Sequence, residues 1–180
     1  MGLQLPITLQ QQYSLVCREI EYEVIPAALH NNIGLLPWSP LAGGFLSGKY
    51  TRDMANSGTR YGDGNPMFQY IGEKLASTER NWAALDAVRQ IAEQIGATPS
   101  QVALSWVTNR PAVSATIIGA RTMKQLTDNL ASTELQLDPE AISQLDTVSA
   151  PTPDEYPYGR FGSLQRDRYI DSSEQALREL

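Results

Sequence analysis

Two stretches of the chain place glycines and a basic residue directly after a short apolar run. The first spans residues 38–50, with the sequence WSPLAGGFLSGKY, and the second spans residues 117–122, with the sequence IIGART. Backbone N–H groups in glycine-rich turns and at helix N-termini attract phosphate oxygens, and a Lys or Arg side chain adds positive charge. The two stretches therefore predict the two halves of a site for a nucleotide phosphate.

The first stretch has the G-x-x-x-x-G-K spacing of a P-loop, from Gly43 to Lys49. Tyr50 stands where a P-loop needs Ser or Thr to hold magnesium, and no helical pattern follows at once, so a P-loop is disfavoured. Two interpretations remain open. The segment is either a flexible surface turn or a glycine loop whose N–H groups approach a pyrophosphate beside the charge of Lys49.

The second stretch runs into a predicted helix. Thr122 and Gln125 have the spacing of a capping box, and Arg121 stands at the helix N-terminus, where free N–H groups and the helix dipole attract phosphate. Gln125 and Asn129 are four residues apart and therefore line one side of the helix. Capped helices after strands are common, so an ordinary helix start without a ligand is the alternative.

Two further residue types could contribute to a site. Trp38 is either a buried core residue or a flat surface on which a heterocycle stacks. His30 lies near the end of a polar helical segment, and we expect it to be exposed rather than catalytic. No Cys/His cluster has the spacing of metal ligands, so we expect no metal site.

Composition restricts the class of protein. The chain has 180 residues, of which 42% are apolar, and a formal net charge of −6, which argues against a general nucleic-acid binder. The lone Cys17 excludes an internal disulfide and suits a reducing compartment. No apolar run approaches the roughly 20 residues that cross a bilayer, and Met1 to Pro6 lacks the features of a signal peptide. We therefore expect a cytoplasmic protein without membrane insertion.

Hydrophobic periodicity predicts strands that alternate with helices, which favours a parallel sheet of βα units. The predicted strands are residues 7–13, 34–38 and 115–118; the predicted helices are residues 18–31 with a stop at Gly34, 79–95, 99–108, 122–130 and 139–148. Pro26 is expected to kink the first helix. Residues 43–65 are expected to form a long surface loop, and the tail is expected to end in a weak helix at residues 172–180.

These motifs together resemble the aldo-keto reductase family, in the branch with bacterial reductases and potassium-channel β-subunits. The resemblance covers residues 7–148 and rests on several motifs in order: QQQYSL with Arg18-Glu19, PWSPLA with Gly48-Lys49-Tyr50, PSQVALSWV and IIGA. It implies an α/β fold, namely the last three βα units (strands six to eight) of a (β/α)8 TIM barrel with its C-terminal helices. The half-barrel would occupy residues 1–150, with cofactor loops at residues 38–60 and 117–129, and residues 151–180 would form a tail.

The resemblance also implies NADP(H) as the cofactor and assigns residues to it. Gln10 would hold the nicotinamide amide and Trp38 would stack on the nicotinamide ring. The pyrophosphate would lie along the first loop, at Ser39, Pro40, Leu41, Lys49 and Arg60. The adenosine end would lie at Gly119, Arg121, Gln125 and Asn129, with Arg121 available to a 2′-phosphate and Asp128 at the adenine.

The chain departs from the family in its catalytic residues. The family's catalytic Asp, Tyr, Lys and His come from strands two to four, for which this sequence has no counterpart, so no catalytic residue is assigned. Without an acid at the carbonyl oxygen, hydride transfer loses a term typically worth 10²–10⁴-fold. The expected function is the cofactor-binding part of an NADPH-dependent carbonyl reductase, inactive alone. The alternatives are a non-catalytic nucleotide-sensing or interaction module, and a vestigial fragment that folds by oligomerising.

An incomplete barrel also predicts association. Three barrel strands leave two open edges and, we expect, an apolar inner face. A second copy of the chain or a missing N-terminal half-barrel would cover them.

Overall fold

A computed structural model of the chain describes residue 4 and residues 6–52, 59–62 and 64–167. It contains a small parallel sheet and a larger set of helices. The strands are β1 (Thr8–Leu9) and β2 (Gly34–Leu35), and the α-helices are α1 (Val24–His30), α2 (Pro66–Ala76), α3 (Glu79–Ile95), α4 (Pro99–Thr108), α5 (Met123–Leu130), α6 (Pro139–Val148) and α7 (Arg160–Asp167). Short 3-10 helices span Glu19–Glu21, Ala42–Ser47 and Ala131–Thr133. The chain divides into two units, Met1–Ala150 and Pro151–Leu180.

The sheet has one face covered by helices and one open face. β1 and β2 pair in parallel, with Thr8 opposite Gly34, and the pairing continues to an isolated bridge between Gln12 and Trp38. Alternate residues point to opposite faces, so Tyr13 and Leu35 enter the core, where they are 0% and 1% exposed. The other face carries three polar residues of the first segment, Thr8, Gln10 and Gln12. Its β1 side is therefore polar, contrary to the apolar inner face expected from the sequence.

Residues 112–117 run parallel to β2 and are hydrogen-bonded to it, but they form no regular strand. The strand predicted at residues 115–118 is therefore wrong. Ser114 donates its N–H to Leu35 O at 2.9 Å, and Ile117 donates to Pro37 O at 2.8 Å. Three residues on this segment therefore span two on β2, which is the geometry of a bulge. Pro37 has no N–H to donate, so a regular ladder cannot form at this point.

Most of the predicted helices are confirmed, and their sequence caps explain why. α3 matches its predicted range and buries Leu85, Val88 and Ile91 along one face. α4 begins with the predicted capping box: the Thr98 hydroxyl accepts from Gln101 N, and the Gln101 side chain accepts from Thr98 N. α4 packs against the covered face of the sheet through Trp106, whose ring centroid lies 5.5 Å from that of Tyr13, and α3 and α4 supply much of the core.

The start of the chain differs from the prediction in two respects. Residues 18–31 form a 3-10 turn and then α1, and Pro26 is accommodated without a kink because it lies in the first helical turn, where its missing N–H has no partner to lose. The helix stops at Asn31, followed by Asn32 at φ 54°, rather than at Gly34. Gly34 instead begins β2.

The segment predicted as a long surface loop is partly folded into the core. Phe45, Leu46, Tyr50 and Tyr61 are all at most 6% exposed, because their large apolar side chains gain free energy by leaving water. α2 follows and was not predicted; its start is marked by the N-cap Asn65, with Pro at the first helical position. Residues 53–58 and 63 of the predicted loop lie outside the described residues.

The second unit is described to residue 167. It contains α7, which was not predicted, and Phe161 N in its first turn donates to the Glu155 carboxylate at 3.2 Å. The helical end predicted at residues 172–180 lies outside the described residues. Among the residues that are described, no helix is both long and apolar enough to cross a membrane.

Candidate functional site

The two predicted loops leave the sheet side by side. Ile117 lies against Pro37 through a 2.8 Å hydrogen bond, and Trp38 N donates to Gln11 O at 2.9 Å. The three segments run in parallel, so Gln10, Trp38 and Gly119 all lie towards the carboxyl end of the sheet. In α/β folds this end is where ligands bind.

Trp38 presents its ring at this edge. Its side chain is 43% exposed, so the interpretation as a buried core residue is wrong. The pairing of Gln12 with Trp38 puts the indole on the open face of the sheet, and Gln10, also exposed, points to the same face. The arrangement offers an aromatic surface and an amide close together.

The first loop is a tight turn with strained backbone. Ser39 and Ala42 have φ angles of 55° and 48°, and Gly43 and Gly44 follow at 63° and 103°. Residues other than glycine rarely adopt positive φ, and they do so where neighbouring contacts impose it. Ser39 Oγ is one such contact, because it accepts from Gly43 N at 3.2 Å.

The remaining residues of this loop differ in exposure. Pro40 is buried, Leu41 is half-buried, and Lys49 is exposed. The P-loop interpretation is wrong, because Ala42–Ser47 consists of 3-10 turns interrupted by a kink at Gly43 and Gly44, and because Tyr50 is a core residue at 3% exposure. The loop therefore differs in shape from a P-loop, and the Lys49 side chain is exposed to solvent.

Arg60 adds a second cation to this side. The residue is exposed, and its guanidinium carbon lies 4.6 Å from the ring centroid of Phe68 on α2. A guanidinium stacked on an aromatic face keeps its N–H groups pointing outward in its own plane. Phe68 was not singled out from the sequence, which offers no local signal for this contact.

The second loop is braced by its own helix. Thr122 Oγ1 accepts from Gln125 N at 3.2 Å, as the capping prediction required. Gln125 Oε1, however, accepts from Arg121 N at 2.8 Å rather than from Thr122 N, so the reciprocal capping box predicted here is wrong. Asn129 is buried and donates to Gly119 O at 3.4 Å. Gln125 and Asn129 thus shape the turn from Gly119 to Arg121.

The outer surface of this turn is open. Gly119 and Arg121 are exposed, and a Cβ added at Gly119 would meet no atom within 4 Å. A ligand can therefore approach the backbone closely at this point. Arg121 supplies positive charge beside it.

Asp128 connects two helices. Its carboxylate accepts from Thr98 Oγ1 and from Gln101 Nε2, both at 3.1 Å, and thereby fixes α5 to the capping box of α4. Any contact from Asp128 to an adenine would be additional to these bonds. The sequence predicted the capping box and the acidic residue separately but not their connection.

Other predicted features lie apart from the site. His30 is exposed in the last turn of α1, as expected. Among the described residues, no group of three or more His, Cys, Asp or Glu side chains is arranged to hold a metal ion.

Comparison of the sequence with known proteins identifies relatives of this chain. The sequence matches the Aldo/keto reductase family over residues 4–150. It is 36% identical to the uncharacterized oxidoreductase YrpG of Bacillus subtilis over 148 residues, which covers 82% of this chain and 41% of that protein. It is 38% identical to a putative voltage-gated potassium channel subunit beta of Schizosaccharomyces pombe, over 86% of this chain and 45% of the relative. Protein tas of Escherichia coli is 32% identical, over 79% and 39%. The chain spans less than half the length of these relatives.

Proposed function

The chain belongs to the aldo/keto reductase family, and we propose that it is the cofactor-binding part of an NADPH-dependent reductase of carbonyl compounds. In this proposal the parallel segments and helices of residues 1–150 are strands six to eight of a (β/α)8 barrel with their helices. Residues 151–180 form a tail. The whole reaction belongs to a longer assembly of which this chain is one part.

One observation carries the proposal. Two loops that each present a cation leave neighbouring parallel segments at one end of the sheet, and an exposed indole, that of Trp38, stands at the start of the first loop. A dinucleotide needs such a surface: charge and backbone N–H groups at its phosphates, and a flat apolar contact for a heterocycle. The net charge of the chain is −6, so the positive charge of these loops is local.

The residues present fit NADP(H). Lys49 and Arg60 would hold the pyrophosphate beside Ser39, Pro40 and Leu41, and Trp38 and Gln10 would hold the nicotinamide. Arg121 would bind the 2′-phosphate at the open turn of Gly119, while Gln125 and Asn129 keep that turn in shape and Asp128 borders the adenine. NADPH, when bound, supplies the hydride. No residue of this chain is assigned to the proton transfer, so we expect no reduction by the chain alone.

A titration with NADPH, followed by quenching of Trp fluorescence, tests this function. Saturable binding is expected, weaker for NADH because the 2′-phosphate is absent. Arg121→Ala should weaken NADPH binding by about 10- to 100-fold, since a charge-assisted hydrogen bond contributes about 1.5–3 kcal/mol. The control Lys74→Ala removes the same charge from an exposed position on α2 and should bind like the wild type. Absence of wild-type binding up to millimolar NADPH would refute the proposal and favour a vestigial fragment.

The open sheet edges support a proposal about association. We propose that a missing N-terminal half-barrel, or a second copy of this chain, pairs with the edge of β1, whose backbone has no strand partner on that side among the described residues. Sedimentation velocity at micromolar concentration should therefore give a dimer or larger species for the chain alone. A stable monomer would contradict self-association and leave the half-barrel as the partner.

A second function is favoured by one specific observation, the 38% identity to a protein named as a potassium channel subunit beta. In this alternative the chain is part of a non-catalytic module that senses the nucleotide or binds a partner protein. Mixing the chain with an N-terminal half that carries the family's catalytic residues distinguishes the two. Gain of carbonyl reduction supports the enzyme, whereas retained NADPH binding without any turnover supports the sensing module.

A further inference from the structure

One side chain, that of Tyr61, connects the strained first loop to α2. The Tyr61 hydroxyl donates a hydrogen bond to the carbonyl oxygen of Ala42, one of the residues with positive φ. A Cβ built on Gly43 would lie 2.3 Å from the same hydroxyl oxygen, so the turn and the tyrosine fit closely. Tyr61 is only 6% exposed, and the hydrogen bond is buried.

The other side of the Tyr61 ring is fixed by α2. A Cβ built on Gly72 would lie 2.7 Å from Tyr61 Cβ and Cγ, so the helix approaches the tyrosine as closely as a glycine allows. Tyr50 packs on Tyr61 with ring centroids 5.0 Å apart. Tyr61 therefore packs on α2 and at the same time holds the turn through its hydrogen bond to Ala42.

The neighbour of Tyr61 in the chain is Arg60, whose guanidinium stacks on Phe68 of the same helix. Fixing Tyr61 thus fixes the backbone from which Arg60 extends. The strained turn and the Arg60 side chain are both held by α2, because the consecutive residues Arg60 and Tyr61 each contact that helix.

We propose that Tyr61 is a positioning residue for the pyrophosphate side of the cofactor site, acting through its hydrogen bond to Ala42 and through the backbone of Arg60. The inference rests on the proposed function. Its effect should be confined to the pyrophosphate part of the ligand, because the second loop is braced independently by Gln125 and Asn129. Burial raises the pKa of Tyr61, so the hydroxyl remains a donor at neutral pH.

Tyr61→Phe in the full chain tests the proposal, because it keeps the ring and removes only the hydroxyl. NADPH affinity should fall about five- to tenfold, since a loop that occupies its binding conformation less of the time weakens binding by that fraction. Binding of 2′-AMP, which lacks the pyrophosphate, should change less than twofold. The control Tyr70→Phe removes a hydroxyl from a side chain that is 65% exposed on α2 and should leave both affinities unchanged.

Hydrogen exchange provides a readout that needs no ligand. Gly44 N is bonded to Leu41 O at 2.9 Å and Leu46 N to the same oxygen at 3.2 Å, so both amides report on the turn. Tyr61→Phe should speed their exchange about tenfold while amides of α5 remain unchanged. An equal loss of NADPH and 2′-AMP affinity would overturn the proposal, and so would unchanged exchange in the turn.

A second variant, Gly43→Ala, tests the coupling between Tyr61 and the turn. Gly43→Ala introduces a methyl group against the Tyr61 hydroxyl, and should weaken NADPH binding more in the wild-type background than in Tyr61→Phe, where the oxygen is gone. Additive effects would overturn the proposed coupling. If the wild type itself fails to bind NADPH, the proposed function fails, which is distinguishable from wild-type binding that Tyr61→Phe leaves intact.

Discussion

Replacing Arg18 with alanine should lower the free energy of unfolding by about 3–5 kcal/mol, the usual cost of removing one partner from a buried ion pair. Arg18 is 6% exposed, and its Nε and Nη2 donate to the two carboxylate oxygens of Glu21, each at 2.8 Å. Its Nη1 donates to Asp146 O at 2.9 Å and to Ser149 Oγ at 2.7 Å. The guanidinium thus links the segment after β1 to α6.

The magnitude follows from what the substitution leaves behind. Glu21 would keep a hydrogen bond from the Tyr13 hydroxyl at 2.7 Å and a distant Arg110, 3.9 Å away, but would lose both bonds of its bidentate partner. The buried Ser149 hydroxyl would lose its donor, and the Trp106 ring would lose the cation 5.2 Å from its centroid. For a unit of about 150 residues, each kcal/mol lowers Tm by roughly 2–4 °C, so a fall of about 6–20 °C is expected.

Urea unfolding followed by circular dichroism measures this change, and Arg52→Ala is a matched control. Arg52 also pairs with two carboxylates, Glu79 at 2.7 Å and Asp86 at 3.2 Å, and lies 5.4 Å from the centroid of Trp82. It differs in being half exposed, so water replaces its partners and the midpoint should stay close to that of the wild type. Equal midpoints for the two variants would refute the argument that burial makes the Arg18 contacts valuable.

Two further predictions concern α4 and the single cysteine. Thr98→Ala removes the hydroxyl that accepts from Gln101 N and donates to Asp128, and should cost about 1–2 kcal/mol in urea unfolding. The control Thr147→Ala changes an exposed residue of α6 and should be near neutral, and equal costs would contradict the capping argument. Burial, and after it the charge of Glu19, raises the pKa of the Cys17 thiol from 9.0 to about 11, so at pH 8 an aromatic disulfide should react about a hundredfold more slowly with the folded chain than in urea, and rates within threefold would contradict this.

The elements that the sequence predicted correctly are those with local signals. α3 has an uninterrupted apolar face, and α4, α5 and α6 each begin with a Thr or Asp whose side chain accepts from the third helical N–H. Such a cap depends on residues within one turn of each other, so spacing alone reveals it. The second loop of the candidate site could be located for the same reason.

Apart from α2, whose N-cap Asn65 is a local signal that was missed, the features that were not predicted depend on residues far apart in the chain. The aromatic side chains of Phe45, Tyr50 and Tyr61 look like parts of a polar loop until Trp82 and Gly72 of later helices are placed against them. The exposure of Trp38 was equally undecidable, because it depends on which face of the sheet the helices cover. Periodicity within a segment carries no information about this aromatic packing or about the exposure of Trp38.

The two loops of the candidate site owe their shapes to contacts within the described part of the chain, and this bears on what the half-site can do without further residues. Ser39, Gln125 and Asn129 direct their polar atoms to backbone groups of their own loops, and Tyr61 and Asp128 tie the loops to α2 and α4. A ligand that arrives at such loops does not have to order them, so little affinity is lost to conformational entropy. What a ligand still has to order includes the exposed side chain of Lys49, a long chain whose immobilisation costs about 0.5–1.5 kcal/mol. The shape of these two loops therefore depends on helices of this chain rather than on the additional residues of its longer relatives.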